Sequence, residues 1–351
     1  MLQQPSLLEK LFSFILKPQM FLDIPRNRWY VKMYDSIRLF CFFALFSILG
    51  IIINVIITPI LGEEVRHFLH NEEPLEGKSI LLLFLYLVIL APLTEEIAFR
   101  QWLRPTPLNL SFGLVFLTFF TYLFLSHFID FGIGTILDNI FTVLVTSGNA
   151  AVLDSEAVEL LKILFLIGFY VSIFVLSILI FVLSILILYL VLKLNQTILK
   201  LVQGFFQKYF TFLFYFSTIY FGLIHITNYT GIENTIWLAP LLVLPQLFGG
   251  LEFGYVRVQY GLWWAIFNHA LNNFISFILI AGAFFLSKED MSGETLESMT
   301  TQDIVVSLFL LLFTLFVLFV IVIVNILNII ELVVSLSKRS QQKRQVMIDC
   351  K

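Results

Sequence analysis

Long apolar runs alternate with shorter polar connections along most of the chain. A helix needs about 20 residues to cross a hydrocarbon core about 30 Å thick, so runs of that length predict membrane spans. The predicted spans are 39–61, 79–99, 108–128, 160–192, 210–227, 237–255, 260–286 and 304–330. The runs lack the two-residue alternation of barrel strands and therefore predict helices. We expect an all-α fold, a polytopic membrane bundle of about eight transmembrane helices.

The composition agrees with a membrane protein. Of the 351 residues, 59% are hydrophobic and only 13% are charged. The mean hydropathy of +0.95 lies outside the range of ordinary soluble domains. We expect the lipid bilayer as a partner and no nucleic acid, while the oligomeric state stays open.

Basic residues indicate which connections face the cytoplasm. They are concentrated in residues 1–38 and 331–351 and after the second, fourth and sixth spans, whereas carboxylates dominate the connections after the first, third and seventh. The pattern places both termini in the cytoplasm. It divides the chain into a cytoplasmic amphipathic N-terminal segment (1–38), a transmembrane bundle (39–330) and a basic cytoplasmic tail (331–351).

A first polar cluster, "EEIAFR", ends the second predicted span. Glu96 and Arg100 are four residues apart, so they share a helix face and suit an ion pair. Glu95 is rotated from Glu96 by about 100° and is left without this partner. Interfacial charges at the lipid headgroups are the alternative interpretation. Two adjacent carboxylates on different faces cannot both point outward, however, which favours a place inside the bundle.

Two further clusters carry histidine. "FGLIHITN" places Phe221 and His225 on one helical face with Asn228 close by, and "WAIFNHALNNF" places His269 and Asn273 one turn apart. A lone histidine near a helix end is often structural. Histidine and asparagine on one face within a membrane span, however, need partners inside the bundle. The remaining histidines receive no role: His67, His70 and His127.

A carboxylate, two imidazoles and an amide can together hydrolyse an amide bond. The glutamate can act as general base on a water, a histidine can hold that water, and histidine and asparagine donors can stabilise an oxyanion. Glu95, His225 and His269 are also a common zinc ligand set, so a metal site remains an alternative. Hydropathy places Glu95 near the cytoplasmic face of the membrane and His225 nearer the outer face. Their spans must therefore be tilted or broken for the two side chains to meet.

The three clusters together resemble the CPBP family. These are the CAAX protease and bacteriocin-processing (Abi-type) intramembrane proteases, which include the type II CAAX prenyl endopeptidases. The family pattern E-E-x-x-x-R, F-x-x-x-H and H-x-x-x-N/D occurs here in order as "EEIAFR", "FGLIH" and "HALNN". The resemblance covers residues 79–104 and 205–280 and treats 105–204 as an insertion.

The resemblance implies a role for each motif position. Glu95 would activate the water, His225 would help to hold it, and His269 with Asn273 would form the oxyanion site. The supporting positions would be Glu96, Arg100, Phe221, Asn228 and Arg257.

The implied function is an intramembrane endopeptidase with a glutamate-activated water, acting on a peptide or a membrane-attached protein. No cofactor is favoured, and a divalent metal such as zinc is the alternative. A non-catalytic scaffold or bacteriocin-immunity-type protein on the same fold is a second hypothesis, and a proton-coupled transporter is a third. We expect an integral multi-pass protein of a bacterial cytoplasmic membrane.

Overall fold

The computed structural model describes residues 5–20, 28–61, 66–67, 80–128, 155–230, 237–290 and 301–349. In the N-terminal part the α-helices are α1 (Leu7–Leu16), α2 (Trp29–Leu61), α3 (Ile80–Phe84), α4 (Ala91–Arg100) and α5 (Pro107–Phe128). Those that follow are α6 (Ser155–Leu194), α7 (Gln196–Ile224), α8 (Ala239–Leu242), α9 (Leu244–Gln259), α10 (Leu262–Asp290) and α11 (Thr301–Asp349). The all-α prediction is confirmed.

Six helical segments among the described residues are long and apolar enough to cross a membrane, and they make the chain an integral membrane protein. They are Trp29–Asn54, Leu81–Leu103, Pro107–Leu125, Val175–Leu194, Gln196–Asn228 and Ile304–Gln342. The other two predicted spans, 237–255 and 260–286, correspond to α8 with α9 and to α10. Because α9 has 16 residues, fewer than the roughly 20 that a crossing needs, the count of eight remains a prediction.

Two helices are interrupted next to their polar clusters. Residues Leu85–Leu90 form a π-helix between α3 and α4, and the 3-10 turn His225–Asn228 follows α7. Such local changes of helix type are frequent at functional sites. Glu95 and His225 come together beside these breaks, as the difference in depth between them required.

A tight turn directs α10 back against α9. Gly261 has a φ of 108°, which glycine adopts at little cost because it has no Cβ. Its N–H donates to the carbonyls of Val256 and Arg257, at 3.2 Å each, and so ends α9. The turn brings His269 onto the ring of Phe253, with ring centroids 4.5 Å apart.

Helices α7 and α9 approach closely because two glycines lie between them. A Cβ added to Gly250 would lie 3.1 Å from Thr218 Cγ2, and one added to Gly222 would overlap Leu247. Small residues allow such close contact between membrane helices. The main core is built here from aromatic side chains, including Phe214, Phe221 and Phe253.

The N-terminal segment packs against the bundle. A capping box between Ser6 and Glu9 starts α1, and its buried face consists of Leu7, Leu8, Leu11 and Phe14. These side chains belong to the main core cluster. The helix that follows, α2, begins at Trp29, before residue 39, where the span was predicted to begin.

The C-terminal residues are helical and contact the N-terminal segment. α11 continues through residues 331–349, so most of the predicted tail extends the last helix. Ser335 donates to Glu9 at 2.5 Å, and Arg339 Nη1 is 3.3 Å from Glu9 Oε1. These contacts join α1 to the C-terminal part of α11; the cytoplasmic location of both termini stays a prediction.

A short strand pair joins two connections on one side of the bundle. β1 (Arg66–His67) and β2 (Tyr229–Thr230) are antiparallel, with His67 opposite Tyr229. They belong to the connections after the predicted first and fifth spans, which the charge pattern assigns to the same face. The side chains of His67 and His127 and all of His70 lie outside the described part of the chain.

Candidate active site

Glu95 lies between the rings of His225 and His269. Its Oε2 atom is 3.8 Å from Nε2 of each ring. Both distances exceed those of direct N–H···O bonds, which are about 2.7–3.2 Å. Oε2 is buried and has no hydrogen-bond partner among the described residues. The three polar clusters of the sequence therefore converge on one unpaired carboxylate oxygen.

Glu96 contacts Arg100 and His269 at the same time. Its Oε1 atom is 3.3 Å from Nη1 of Arg100 and 3.0 Å from Nδ1 of His269. The side chains of Glu96 and Arg100 are fully buried, at 0% exposure. The ion pair suggested by the four-residue spacing is present. Its contact with the histidine of the third motif was not predicted, and it fixes the orientation of that ring.

The hydrogen-bond partners of the two imidazoles show which nitrogen faces Glu95. Nδ1 of His225 is 2.7 Å from the carbonyl oxygen of Phe221. A carbonyl only accepts, so Nδ1 carries the hydrogen and Nε2 of the neutral ring is an acceptor. Nδ1 of His269 is turned to the Glu96 carboxylate in the same way. In each ring, Nε2 is the atom left for a water or a substrate.

The side-chain amide of Asn273 bonds the carbonyl of Leu87, which lies in the π-helix. The N–H of Ala91 donates to Tyr86 O, and residue 92 is a proline, which has no N–H to offer Leu87 O. Asn273 Nδ2 donates to Leu87 O at 2.8 Å instead. An amide nitrogen has two hydrogens, so the second one remains available to the cavity.

Aromatic rings surround the buried charges. The Arg100 guanidinium lies 3.8 Å from the ring centroid of Phe221, a cation–π distance. Phe221 also contacts His225, with centroids 4.7 Å apart, and Phe253 stacks on His269 at an interplanar angle of 14°. Phe221 therefore packs beside the site, where the resemblance places it.

Arg257 is near the site but does not line its cavity. Its Nε and Nη2 atoms donate to the carbonyls of Arg100 and Gln101, at 3.1 and 2.9 Å. It thus adds side-chain donors to carbonyls at the end of α4, where the main chain turns and backbone partners are few. A positively charged group there also interacts favourably with the helix dipole. Its place indicates a supporting part, through the helix that carries Glu95.

A cavity of about 430 Å³ opens at Glu95. Its walls come from α2, the π-helix, α4, α7, α9 and α10. The predicted site residues that line it are Glu95, Phe221, His225, Asn228, His269 and Asn273. Glu96, Arg100 and Arg257 are not among the lining residues. The structure therefore separates the predicted residues into a group at the cavity and a group behind it, while their roles in catalysis remain predictions.

Sequence reasoning missed a buried carboxylate beside this group. Glu252 on α9 is 3% exposed and accepts a hydrogen bond from Asn268 Nδ2 at 2.8 Å. The same nitrogen is 3.2 Å from Ser36 O on α2. The available signal was a glutamate inside the apolar run 237–255 and an asparagine directly before His269. A charged residue in such a run needs an internal partner.

The donor atoms do not form a metal ligand set as they are placed. Ligands on one tetrahedral zinc lie about 3.4 Å apart when each bond is about 2.1 Å, whereas Glu95 Oε2 is 3.8 Å from both Nε2 atoms. In the described part of the chain, no three His, Cys, Asp or Glu side chains converge as metal ligands.

The part of the chain that carries the second and third motifs resembles a known protein family. Residues 194–275 match the family model described as Type II CAAX prenyl endopeptidase Rce1-like. Over these residues the chain is similar to the type II CAAX prenyl endopeptidases. This relation confirms the resemblance drawn from the motifs, and the matched residues include His225, His269 and Asn273; Glu95 precedes them. No curated protein and no solved structure matches the chain.

Proposed function

We propose that the chain is an intramembrane endopeptidase of the CPBP and CAAX protease type, which hydrolyses a peptide bond with a water activated by Glu95. One observation carries the proposal. The unpaired Oε2 of Glu95 faces Nε2 of both His225 and His269 at 3.8 Å, at the wall of a cavity of about 430 Å³. The relation to the prenyl endopeptidases agrees with this chemistry.

The geometry suits a water between Glu95 and His225. Groups separated by more than about 3.5 Å are often bridged by a water, and these two side chains offer it complementary contacts. Nε2 of His225 accepts one O–H, because its Nδ1 hydrogen is already given to Phe221 O. The Glu95 carboxylate accepts the other O–H and takes that proton as the water oxygen bonds to the substrate carbonyl carbon.

His269 and Asn273 are placed to bind the oxyanion that forms. The free hydrogen on Asn273 Nδ2 can donate to it, since the other hydrogen is held by Leu87 O. His269 is oriented by the contact between its Nδ1 and Glu96, at 3.0 Å, and its Nε2 would donate to the oxyanion whenever it carries a hydrogen. When the tetrahedral intermediate collapses, the C–N bond breaks and Glu95 returns its proton to the leaving nitrogen.

We expect the substrate to be a peptide or a membrane-attached protein. The cavity combines apolar walls with side-chain amides, including Asn54, Gln246 and Asn272. Such a surface can hold both apolar side chains and peptide groups. A CAAX-ending peptide with a prenyl group and its unmodified twin, offered to the purified protein, will show whether the lipid is required.

The direct test replaces Glu95 with glutamine. Loss of a general base lowers a rate by about 10²–10⁴-fold, so Glu95→Gln should abolish measurable cleavage while the protein still folds. Comparative proteomics of membrane-protein termini, in cells with the parent or with Glu95→Gln, will identify substrates and test catalysis together. The control is Glu331→Gln on α11, which removes a carboxylate that pairs with Arg38 and does not line the cavity, with cleavage compared per folded molecule.

The same experiment separates the leading proposal from its alternatives. Identical sets of termini with the parent and Glu95→Gln would contradict the protease and favour a scaffold or immunity-type protein. A transporter would show uptake in proteoliposomes that depends on Glu95 without any new termini.

A further inference from the structure

Glu95 and His225 lie in the wall between two cavities. One is the cavity of about 430 Å³ described above, which α2, α9 and α10 enclose. The other, of about 290 Å³, lies on the side of α5, and we call it the α5-side cavity. Both are lined by Tyr86, Glu95, His225 and Asn228. The reacting groups are therefore accessible from two directions.

The α5-side cavity differs from the first in chemistry. Its far wall consists of apolar side chains from α5 and α7: Phe120, Leu123, Phe124 and Ile224. Its polar lining residues include Glu95 and the turn His225–Asn228, which supplies Thr227 and Asn228. An apolar wall with polar groups at one end fits an apolar side chain whose peptide group is held at the polar end.

We infer that the α5-side cavity binds an apolar side chain of the substrate on one side of the scissile bond, while the larger cavity takes the chain on the other side. The inference rests on the proposed protease function. An extended chain advances about 3.3–3.6 Å per residue. With its scissile carbonyl at Glu95, its two halves must leave in opposite directions, and the structure provides one cavity for each.

Most of this cavity is formed by a part of the chain outside the family match. Phe120, Leu123 and Phe124 precede residues 194–275. The apolar wall on α5 thus lies outside the part of the chain that the family model covers. It predicts a preference for leucine-sized or aromatic residues and discrimination against charged residues, which would lose their hydration against an apolar wall.

Opposite changes at Leu123 test the inference. The purified parent, Leu123→Trp and Leu123→Ala are each incubated with a degenerate synthetic peptide library in detergent, and cleavage positions are read by mass spectrometry. Leu125, also on α5, does not line the cavity and has nearly the same exposure as Leu123, 47% against 45%. Leu125→Trp and Leu125→Ala are therefore matched controls, and Glu95→Gln is the blank.

We expect the two Leu123 variants to shift specificity in opposite directions. Tryptophan fills the cavity and should reduce cleavage beside large apolar residues about tenfold or more, the usual effect of changing a hydrophobic pocket, while cleavage beside glycine and alanine remains. Alanine should increase the share of cleavage beside phenylalanine and tryptophan. The Leu125 variants should keep the parent profile.

The other outcomes have distinct meanings. An unchanged profile in folded Leu123 variants overturns the inference, and so does a uniform fall at every sequence, which would indicate a route for water instead. If Leu123→Trp does not fold, Leu123→Ala decides on its own. A parent that cleaves no more than Glu95→Gln overturns the proposed function and the inference with it, whereas cleavage with an unshifted profile overturns the inference alone.

Discussion

Two buried polar clusters in this bundle differ in how completely their atoms are paired. In the site cluster, defined as Glu95, Glu96, Arg100, His225 and His269, several buried atoms have no hydrogen-bond partner in the described part of the chain. They are Glu95 Oε2, Glu96 Oε2 and the three guanidinium nitrogens of Arg100. The Arg100 charge is balanced by Glu96 at 3.3 Å and by aromatic rings, and not by a full set of hydrogen bonds.

The second cluster lies between α2 and α11 and consists of Arg38, Asn325, Asn328 and Glu331. Arg38 donates from Nε to Asn328 Oδ1 at 2.6 Å and also to Glu331. Asn328 Nδ2 donates back to Arg38 O at 3.3 Å, and Asn325 Nδ2 donates to Cys41 O at 2.7 Å. Among the described residues, none of these four has a buried side-chain nitrogen or oxygen without a hydrogen-bond partner.

The difference in hydrogen bonding indicates which cluster is available to bind a ligand or to react. An unpaired polar group costs more in a medium of low dielectric constant than in water, so it persists where a ligand or a reaction uses it. The α2–α11 cluster is closed and joins two helices. The site cluster keeps an unpaired oxygen at a cavity, and a water or substrate can complete its bonds. Substitutions in the α2–α11 cluster should alter stability, and substitutions in the site cluster should alter catalysis as well.

The largest expected loss of stability comes from Arg100→Met. Removing one partner of a buried ion pair leaves the other charge uncompensated and typically costs about 3–5 kcal/mol. Here Glu96 would be the charge left behind, at 0% exposure. The free energy of unfolding, measured by denaturant titration in mixed micelles, should fall by about that amount.

A double variant sharpens this prediction. Glu96→Met with Arg100→Met removes both charges and should recover part of the stability, because a buried pair can often be replaced by apolar residues at little cost. It should not recover cleavage, since His269 would lose the carboxylate at Nδ1. An Arg100→Met protein as stable as the parent would contradict the pair's role in the fold.

A smaller effect, on rate, is expected from Pro92→Ala. Alanine restores an N–H that can bond Leu87 O within the helix, so Asn273 would no longer be its necessary partner. Greater freedom of the Asn273 amide should lower kcat about tenfold, about 1.4 kcal/mol in the barrier, with little change in KM or stability. The control is Pro240→Ala in α8, where the proline also stands at a helix start.

The value of kcat in these variants decides whether the missing N–H of Pro92 is needed to position Asn273. An unchanged kcat in Pro92→Ala, with Pro240→Ala also unchanged, would show that Asn273 is positioned by other contacts. A fall in kcat that is matched by Pro240→Ala would point to a general effect on helix starts.

The site was predictable where the signal is local spacing. Glu96 and Arg100 are four apart, and His269 and Asn273 are four apart, so a helix alone puts each pair on one face. The bond from Glu96 to His269 joins residues 173 positions apart, and no periodicity encodes it. The convergence of Glu95 on two histidines was expected from the need of polar residues in membrane spans for internal partners and from the resemblance to a family, and not from spacing along the chain.

The fold was predictable to a similar degree. Apolar length indicated helices, because lipid leaves few alternatives for backbone hydrogen bonds. The π-helix Leu85–Leu90 was not predicted, and one of its carbonyls, Leu87 O, is bonded by the amide of Asn273, which lies far away in the chain. No conformation was predicted for the tail, because its basic residues indicate a location only; in the structure Glu9 and Arg38 contact the helix that it forms.

The smallest effect should come from Asn328→Ala in the α2–α11 cluster. The change leaves Arg38 Nε without its acceptor, but Arg38 keeps Glu331, which is 43% exposed and open to solvent. Side-chain hydrogen bonds between membrane helices average about 0.6 kcal/mol, with a maximum near 1.7, so a loss of about 1 kcal/mol in unfolding free energy is expected. Ser184→Ala, which removes a hydroxyl that bonds Ile180 O within its own helix, is the control and should change stability little.

Cleavage per folded molecule should be unchanged in both variants, because neither residue lines the cavity at Glu95. If Asn328→Ala instead lowers kcat at full stability, the distinction between a closed structural cluster and an open catalytic one fails, and α11 must act on the site through α2 or α10.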